Sequence, residues 1–405
     1  MSPKAGIVLV ATAALAGLGG SFMVPLEHEA IGYNRRDTRD PIALLNQRIA
    51  RGETKLKFDQ LHGYLPAVLD ALKVPRESQV LVFSKTSFQA PRIAPHSPRA
   101  LYFNDTASIG WVQGGDVVEA AAVDPDIGVI FYTLDQDQVD KPRFVRRDMC
   151  LQCHQSSATL GVPGLVVRSV YPEPTGMPAF EQGTYVSDHR SPIGQRWGGW
   201  YVNEKSTHKH LGNAVLRGGV MTPIQSGFDP GQYLTPYSDV AALLVLEHQT
   251  HMTNLITRVN FEVRYMLYQQ RAMNKAFGEP LERRSETTER VIRKAAEELV
   301  DYLLFIDEAP LEAPVEGSSG YAQKFSSSPL RQLDLTKRLQ KLPLSFMVET
   351  AAFDALPDAA RVAVANRLVD VLSGQETDAR YKKLTPEDRR AISAYLREHK
   401  PRLGL

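Results

Sequence analysis

A chain of 405 residues with 43% hydrophobic and 23% charged residues has an ordinary globular composition, with core enough for two or three domains. Its 47 basic and 46 acidic residues leave a net charge of +1, which excludes the basic excess that nucleic-acid binding needs. The 26 prolines and 28 glycines announce frequent turns, not low complexity.

The chain begins MSPKAGIVLVATAALAGLGGSF: Lys4, then an apolar run from Ala5 to Gly20, and no further charge until Glu27. This has the n-region and h-region of an export signal, with Ala14-Leu15-Ala16 as a small-x-small cleavage site. The rival reading is a retained anchor. The uncharged stretch reaches Leu26, although the apolar run is shorter than the ~20 residues of a spanning helix. Residues 1–26 are therefore expected to be a signal peptide or N-terminal membrane anchor. The remainder is expected to be periplasmic or otherwise exported, soluble or tethered.

Residues 27–237 read as a β-rich region. Asp59 to Leu72 has apolar residues at helical spacing. Five short strands follow, at 79–86, 99–105, 109–115, 117–124 and 128–136. They are rich in β-branched and aromatic residues and punctuated by Gly114-Gly115 and Asp124-Pro125-Asp126. Such close spacing predicts an antiparallel meander.

Directly after it stands Cys150-Leu151-Gln152-Cys153-His154, which contains both cysteines of the chain. Three chemistries compete for it. In covalent haem attachment each thiol adds across one vinyl group and the histidine ligates iron. A thiol–disulfide redox pair would want a thioredoxin-like βαβ context that the flanks lack. Zinc would want four ligands, and there is no second cysteine pair. Chance placement of two cysteines three apart before a histidine is of order one in ten thousand. Export favours the haem reading, because c-type haem is attached after export.

Through CLQCH the chain resembles c-type cytochromes. The resemblance implies one covalent haem c, held by Cys150 and Cys153, with His154 as proximal ligand. Thr175-Gly176-Met177-Pro178-Ala179-Phe180 resembles the Met-Pro segment that carries the distal ligand in small class I cytochromes. Only 22 residues separate His154 from Met177, and they include Pro163, Pro172 and Pro174, so a standard cytochrome domain is not expected. RWGGWYV, residues 196–202, is similar to a group of uncharacterised exported bacterial proteins with a single haem motif.

Residues 165–170 and 197–203 continue the strand character. In this region Arg168 and Arg196 are candidates for the haem propionates, against the alternative of exposed ion pairs. Trp197 and Trp200 would wall the ring or serve as sheet core. His189, His208 and His210 lie in polar stretches and are read as surface residues.

From Ser238 the pattern changes. Asp239 to Phe277 runs 39 residues without proline or glycine, with Ser238 placed to cap its start and Gly278 its end. His248 interrupts the apolar stripe and is the second candidate for the distal position. Glu247, His248 and His251 would alternatively hold a separate metal, without the usual two-histidine i,i+4 spacing. A second helix is predicted at 287–305, so 238–308 is a long-helix region. Residues 309–330 form a Pro/Ser/Gly linker or loop, and 331–405 a helical C-terminal region. Within it, Thr385-Pro386-Glu387-Asp388 is close to a capping box.

The fold class expected is α+β, an antiparallel β-rich region around the motif followed by a helical C-terminal half. The function expected is redox chemistry: electron transfer to a partner protein, or haem-dependent oxidoreductase action on a small-molecule substrate. The alternatives are a haem enzyme with an open distal site, peroxidase-like or oxygen-activating, and a haem-based sensor or scaffold.

Overall fold

The computed structural model describes residues 23–205 and 208–403, so most of the expected signal or anchor lies outside the described residues. Among the described residues no helix is long and apolar enough to cross a membrane. The α+β layout is as expected, with antiparallel strands in the first half and most helices in the second.

Two short helices open the fold, α1 (Pro41–Ala50) and α2 (Leu65–Leu72). Asp40 caps α1 by accepting the N–H groups of Ile42 and Ala43. The pattern at 59–72 predicted an earlier start for α2. Residues 59–63 instead close a turn in which Asp59 and Gly63 exchange backbone hydrogen bonds. The Asp59 carboxylate also accepts from Leu61 and His62 N–H. A side chain that satisfies these groups locally competes with the helix.

The main sheet has six strands in sequence order: β1 (Val80–Val82), β2 (Arg99–Phe103), β3 (Ala107–Trp111), β4 (Val117–Asp124), β5 (Gly128–Asp135) and β6 (Val145–Arg146). Strand alternation divides their side chains between two faces. Leu81, Tyr102, Ile109, Trp111, Ile130 and Tyr132 face α1 and α2. On the opposite face Val80, Val82 and Phe103 join the helical core, while Ala121, Val129 and Phe131 make a small separate apolar patch.

Between those two regions the second face has a polar centre. Arg99 crosses Gly110 to ion-pair with Glu119, which also accepts hydrogen bonds from Ser87 and Gln89. A Cβ on Gly110 would lie 2.5 Å from the guanidinium, so only glycine lets the arginine lie flat.

A short helical turn then leads into α3 (Leu151–His154). Beyond it, β7 (Arg168–Val170) and β8 (Thr184–Val186) form one ribbon, and β9 (Ala214–Arg217) and β10 (Val220–Pro223) another. Residues 197–203, expected as a strand, are not one. Trp197 and Gly199 have positive φ, 66° and 88°, and the segment meets β1 through isolated contacts such as Tyr201 N–H to Leu81 O.

The long helix is α4 (Val240–Phe277), ended by Gly278 at φ 69°. Its cap is Asp239, not the expected Ser238. One Asp239 oxygen accepts from Ala241 and Ala242 N–H, the other from Ser318 and Ser319 N–H. α5 (Glu286–Leu303) packs beside α4. The predicted linker at 309–330 is thus tied to the start of α4, and it contains α6 (Tyr321–Phe325). α7 (Ala351–Asp354), α8 (Asp358–Ser373) and α9 (Pro386–His399) complete the helical core, and Thr385 and Asp388 form a capping box on α9.

α4 spans the second face of the sheet. Gln249 donates to Asn104 O, Thr257 occupies the space above Gly128, and Arg264 donates to Asp126 O. Asp239→Ala should remove the cap of this beam and leave the Ser318 and Ser319 N–H groups unpaired. The expected loss is about 2–4 kcal/mol, read as a lower urea midpoint with an unchanged m-value.

Candidate functional site

The cysteine–histidine motif leaves the sheet at its β6 edge. Arg147 N–H bonds Phe131 O at 2.8 Å, and Arg147 Nε donates to Thr133 Oγ1 at 2.8 Å. The chain therefore turns onto the face that carries Phe131. Cys150, Cys153 and His154 follow at helical spacings of three and four, which place them on one side of a single turn. Both cysteines are free thiols. Cys150 is half-buried against the Ala121–Phe131 patch, and Cys153 is exposed.

His154 is oriented from two sides. Its ring packs on Phe131 with centroids 4.7 Å apart. Its Nδ1–H donates to Gly164 O at 2.9 Å, while Gly164 N–H donates back to His154 O at 2.9 Å. Nε2 keeps its lone pair, with no hydrogen-bond partner among the described residues. Burial pushes the pKa of His154 below its ordinary value, and the charges of Arg99 and Arg168 act in the same direction. The Gly164 bond and Glu119 oppose them. A neutral imidazole is the form a metal ligand needs. Burial, then Glu119, pushes the Cys150 thiol up.

Gly164 is in turn held by α4. Asn254 Nδ2 donates to Leu165 O at 2.8 Å and Leu165 N–H donates to Asn254 Oδ1 at 3.1 Å. A Cβ on Gly164 would sit 2.2 Å from Asn254 Oδ1, so the amide fills the space a side chain would need. Sequence reasoning missed Asn254. Its one local signal is a polar residue on the buried stripe of a long helix.

The remaining expected site residues divide into two groups. Arg168 stands at the start of β7, close enough to bear on His154 electrostatically, and its carbonyl accepts the Trp200 indole N–H at 2.8 Å. Met177 lies in the excursion between β7 and β8, 51% exposed. Its turn docks through Lys85 N–H to Gly176 O, on the loop whose Ser87 bonds Glu119.

Trp197, Arg196 and His248 belong to a buried polar cluster on α4. Arg196 pairs with Glu247 at 2.9 Å and donates to the carbonyls of His189 and Ser191. This is a buried ion pair, neither the exposed pair nor the propionate partner considered from sequence. Trp197 is buried beside Glu247. Both ring nitrogens of His248 are engaged, Nδ1 with His189 Nδ1 and Nε2 with Ser345 Oγ, each at 2.7 Å. No lone pair of His248 is left for an iron.

The surface readings of three histidines are corrected. His189 is 2% exposed, stacked on Tyr302 with centroids 3.9 Å apart. His208 and His210 are largely buried on Glu204. Among the described residues no group of three or more His, Cys, Asp or Glu side chains is arranged to hold a bare metal ion, Glu247, His248 and His251 included.

Two predictions follow from these environments. Asn254→Ala leaves the Leu165 N–H and C=O unpaired and should lower stability by about 2–3 kcal/mol in denaturant unfolding. The second concerns pH. Burial holds His248 down to about 3, His251 down to about 4 and His189 well below its usual value. Unfolded histidines titrate near pH ~6.5, so this contribution to stability is present above ~6.5 and lost as pH falls toward ~4. Burial raises Glu247 and Glu308 to about 7, giving a smaller contribution of opposite sign, present below ~4.5 and lost as pH rises through ~7. Urea midpoints should therefore fall between pH 6.5 and 4.5, and His251→Gln should flatten that fall. No family model, no curated protein and no solved structure matches the chain.

Proposed function

We propose that the chain is an exported monohaem c-type cytochrome acting in redox chemistry, as an electron carrier or a haem-dependent oxidoreductase. The observation that carries this reading is the state of His154. Its Nδ1 is committed to Gly164 O and its Nε2 is free, on the same helical turn as two unpaired thiols. When bound, haem would supply one-electron exchange at its iron. Each thiol would form one S–C bond to a vinyl carbon while its hydrogen goes to the neighbouring carbon, so attachment needs no oxidant.

The chain's own residues do the holding. The Gly164 carbonyl fixes the His154 tautomer and raises the basicity of Nε2. Asn254 fixes that carbonyl, and Phe131 limits ring rotation. Arg168 carries positive charge toward His154 and Arg147 toward Cys150; these two suit the propionates better than Arg196, which Glu247 consumes, or Arg99, which Glu119 consumes. Of the two residues proposed for the sixth position, Met177 has an uncommitted thioether and His248 has no uncommitted nitrogen. Met149, Phe88 and Phe180 expose apolar surface on the motif, on the Ser87 loop and on the β7–β8 excursion. Such surface is what a large apolar ring would cover.

Expressed through an export route that attaches c-type haem, the mature chain should be red and keep one pigment through denaturing acid extraction. Cys150→Ser with Cys153→Ser should abolish the pigment. A colourless wild-type chain of unmodified mass would remove the proposal. Met177→Ala should let the ferrous protein bind carbon monoxide that the wild type resists. Ready binding by the wild type would instead favour the enzyme or sensor over the carrier.

A further inference from the structure

A cavity of about 270 Å³ lies between α4, α5 and the loop that follows α3, with Leu160, His251, Leu255 and Tyr302 in its wall. It is large enough for several water molecules or one small organic ligand. His189 also lines it, and His189 Nε2 is buried with no hydrogen-bond partner. The His189 ring turns its Nδ1 toward His248, which does not line the cavity, so the opposite edge of the ring is the one that reaches it.

A chain of hydrogen bonds fixes what that edge presents. Ser345 Oγ already accepts from Met347 N–H, and its own hydrogen needs an acceptor. His248 Nε2, at 2.7 Å, is that acceptor. His248 then carries its proton on Nδ1 and donates it to His189 Nδ1 at 2.7 Å. His189 is left with N–H at Nε2, a donor facing the cavity. Arg258 Nε, on the same wall, is a second buried N–H with no hydrogen bond, the Glu262 carboxylate standing off at 3.7 Å.

Both unsatisfied groups are donors, so the missing partner is an acceptor. Three guanidinium groups (Arg190, Arg258 and Arg380) line the cavity with three carboxylates, Glu298, Asp301 and Asp307. Those acids bond Arg258 and Arg380, and Asp188 bonds Arg190, so each of the three guanidinium groups is already paired and the wall has no net charge with which to hold a multiply charged guest. We infer that this cavity binds a small monocarboxylate, which accepts hydrogen bonds from His189 Nε2–H and Arg258 Nε–H. The Ser345–His248 pair acts as positioning machinery that keeps the His189 donor protonated at Nε2. Nothing in this inference depends on the haem reading.

The test is a titration of the full mature chain with acetate, and separately with acetamide, at pH 7, following imidazole ¹⁵N resonances. Acetate should shift the His189 Nε2–H signal saturably in the millimolar range, and acetamide should bind at least tenfold more weakly. His189→Phe, which keeps the stack on Tyr302, should weaken acetate binding at least tenfold by calorimetry. The wild-type titration decides the matter alone where that variant does not fold. Absence of a saturable shift, or acetamide binding as tight as acetate, or unaltered binding in the folded variant, would each overturn the assignment.

Discussion

The pair of hydrogen bonds between Asn254 and Leu165 is the constraint on which the site depends. It joins the middle of α4 to the loop that returns from the motif. Through Gly164 it sets the one carbonyl that orients His154. The same helix presses on the sheet at Gly128 through Thr257 and lines a cavity at His251, three residues before Asn254. One rigid element therefore gives the sheet, the histidine and the cavity a common reference. An imidazole on a single short helical turn would otherwise lose orientation, since rotamer freedom of such a group is of order 1 kcal/mol to remove.

The polar centre of the sheet is the second constraint. Arg99 and Glu119 are paired on a largely buried surface, where replacing one partner alone leaves a charge stranded. Ser87 and Gln89 add hydrogen bonds to the carboxylate and so fasten the loop that also carries Lys85, the contact to the Met177 turn. The pair's charges reach His154 with opposite sign, so each opposes the other's effect there.

Much of the fold was legible because its periodicities are strong. β4 occupies the residues that its β-branched character between turn residues suggested, and α4 ends at the glycine that can adopt positive φ. Gly110 gave no sign of its role, since the reason for it is an arginine on the neighbouring strand. Residues 197–203 looked like a strand because they are aromatic and apolar, but Trp197 and Gly199 break the extended run with positive φ. His248 was readable as inward-facing from its place in the apolar stripe. Its partners were not, because His189 and Ser345 lie 59 and 97 residues away. His189 misled for the same reason: polar neighbours suggested solvent, whereas Asp188 and Arg190 satisfy each other and leave the imidazole to stack inside.

The spacing of the Asn254 contact has a temporal consequence. Asn254 reaches Leu165 across 89 residues of chain. Contacts of such separation form late in folding, after nearer ones have closed. A polypeptide emerging amino-terminus first thus displays the two thiols and their histidine as pliant peptide well before the helix that will immobilise them has been made. Any enzyme that must grip that pentapeptide meets it before it stiffens, and docking of the later half then withdraws the imidazole from further handling.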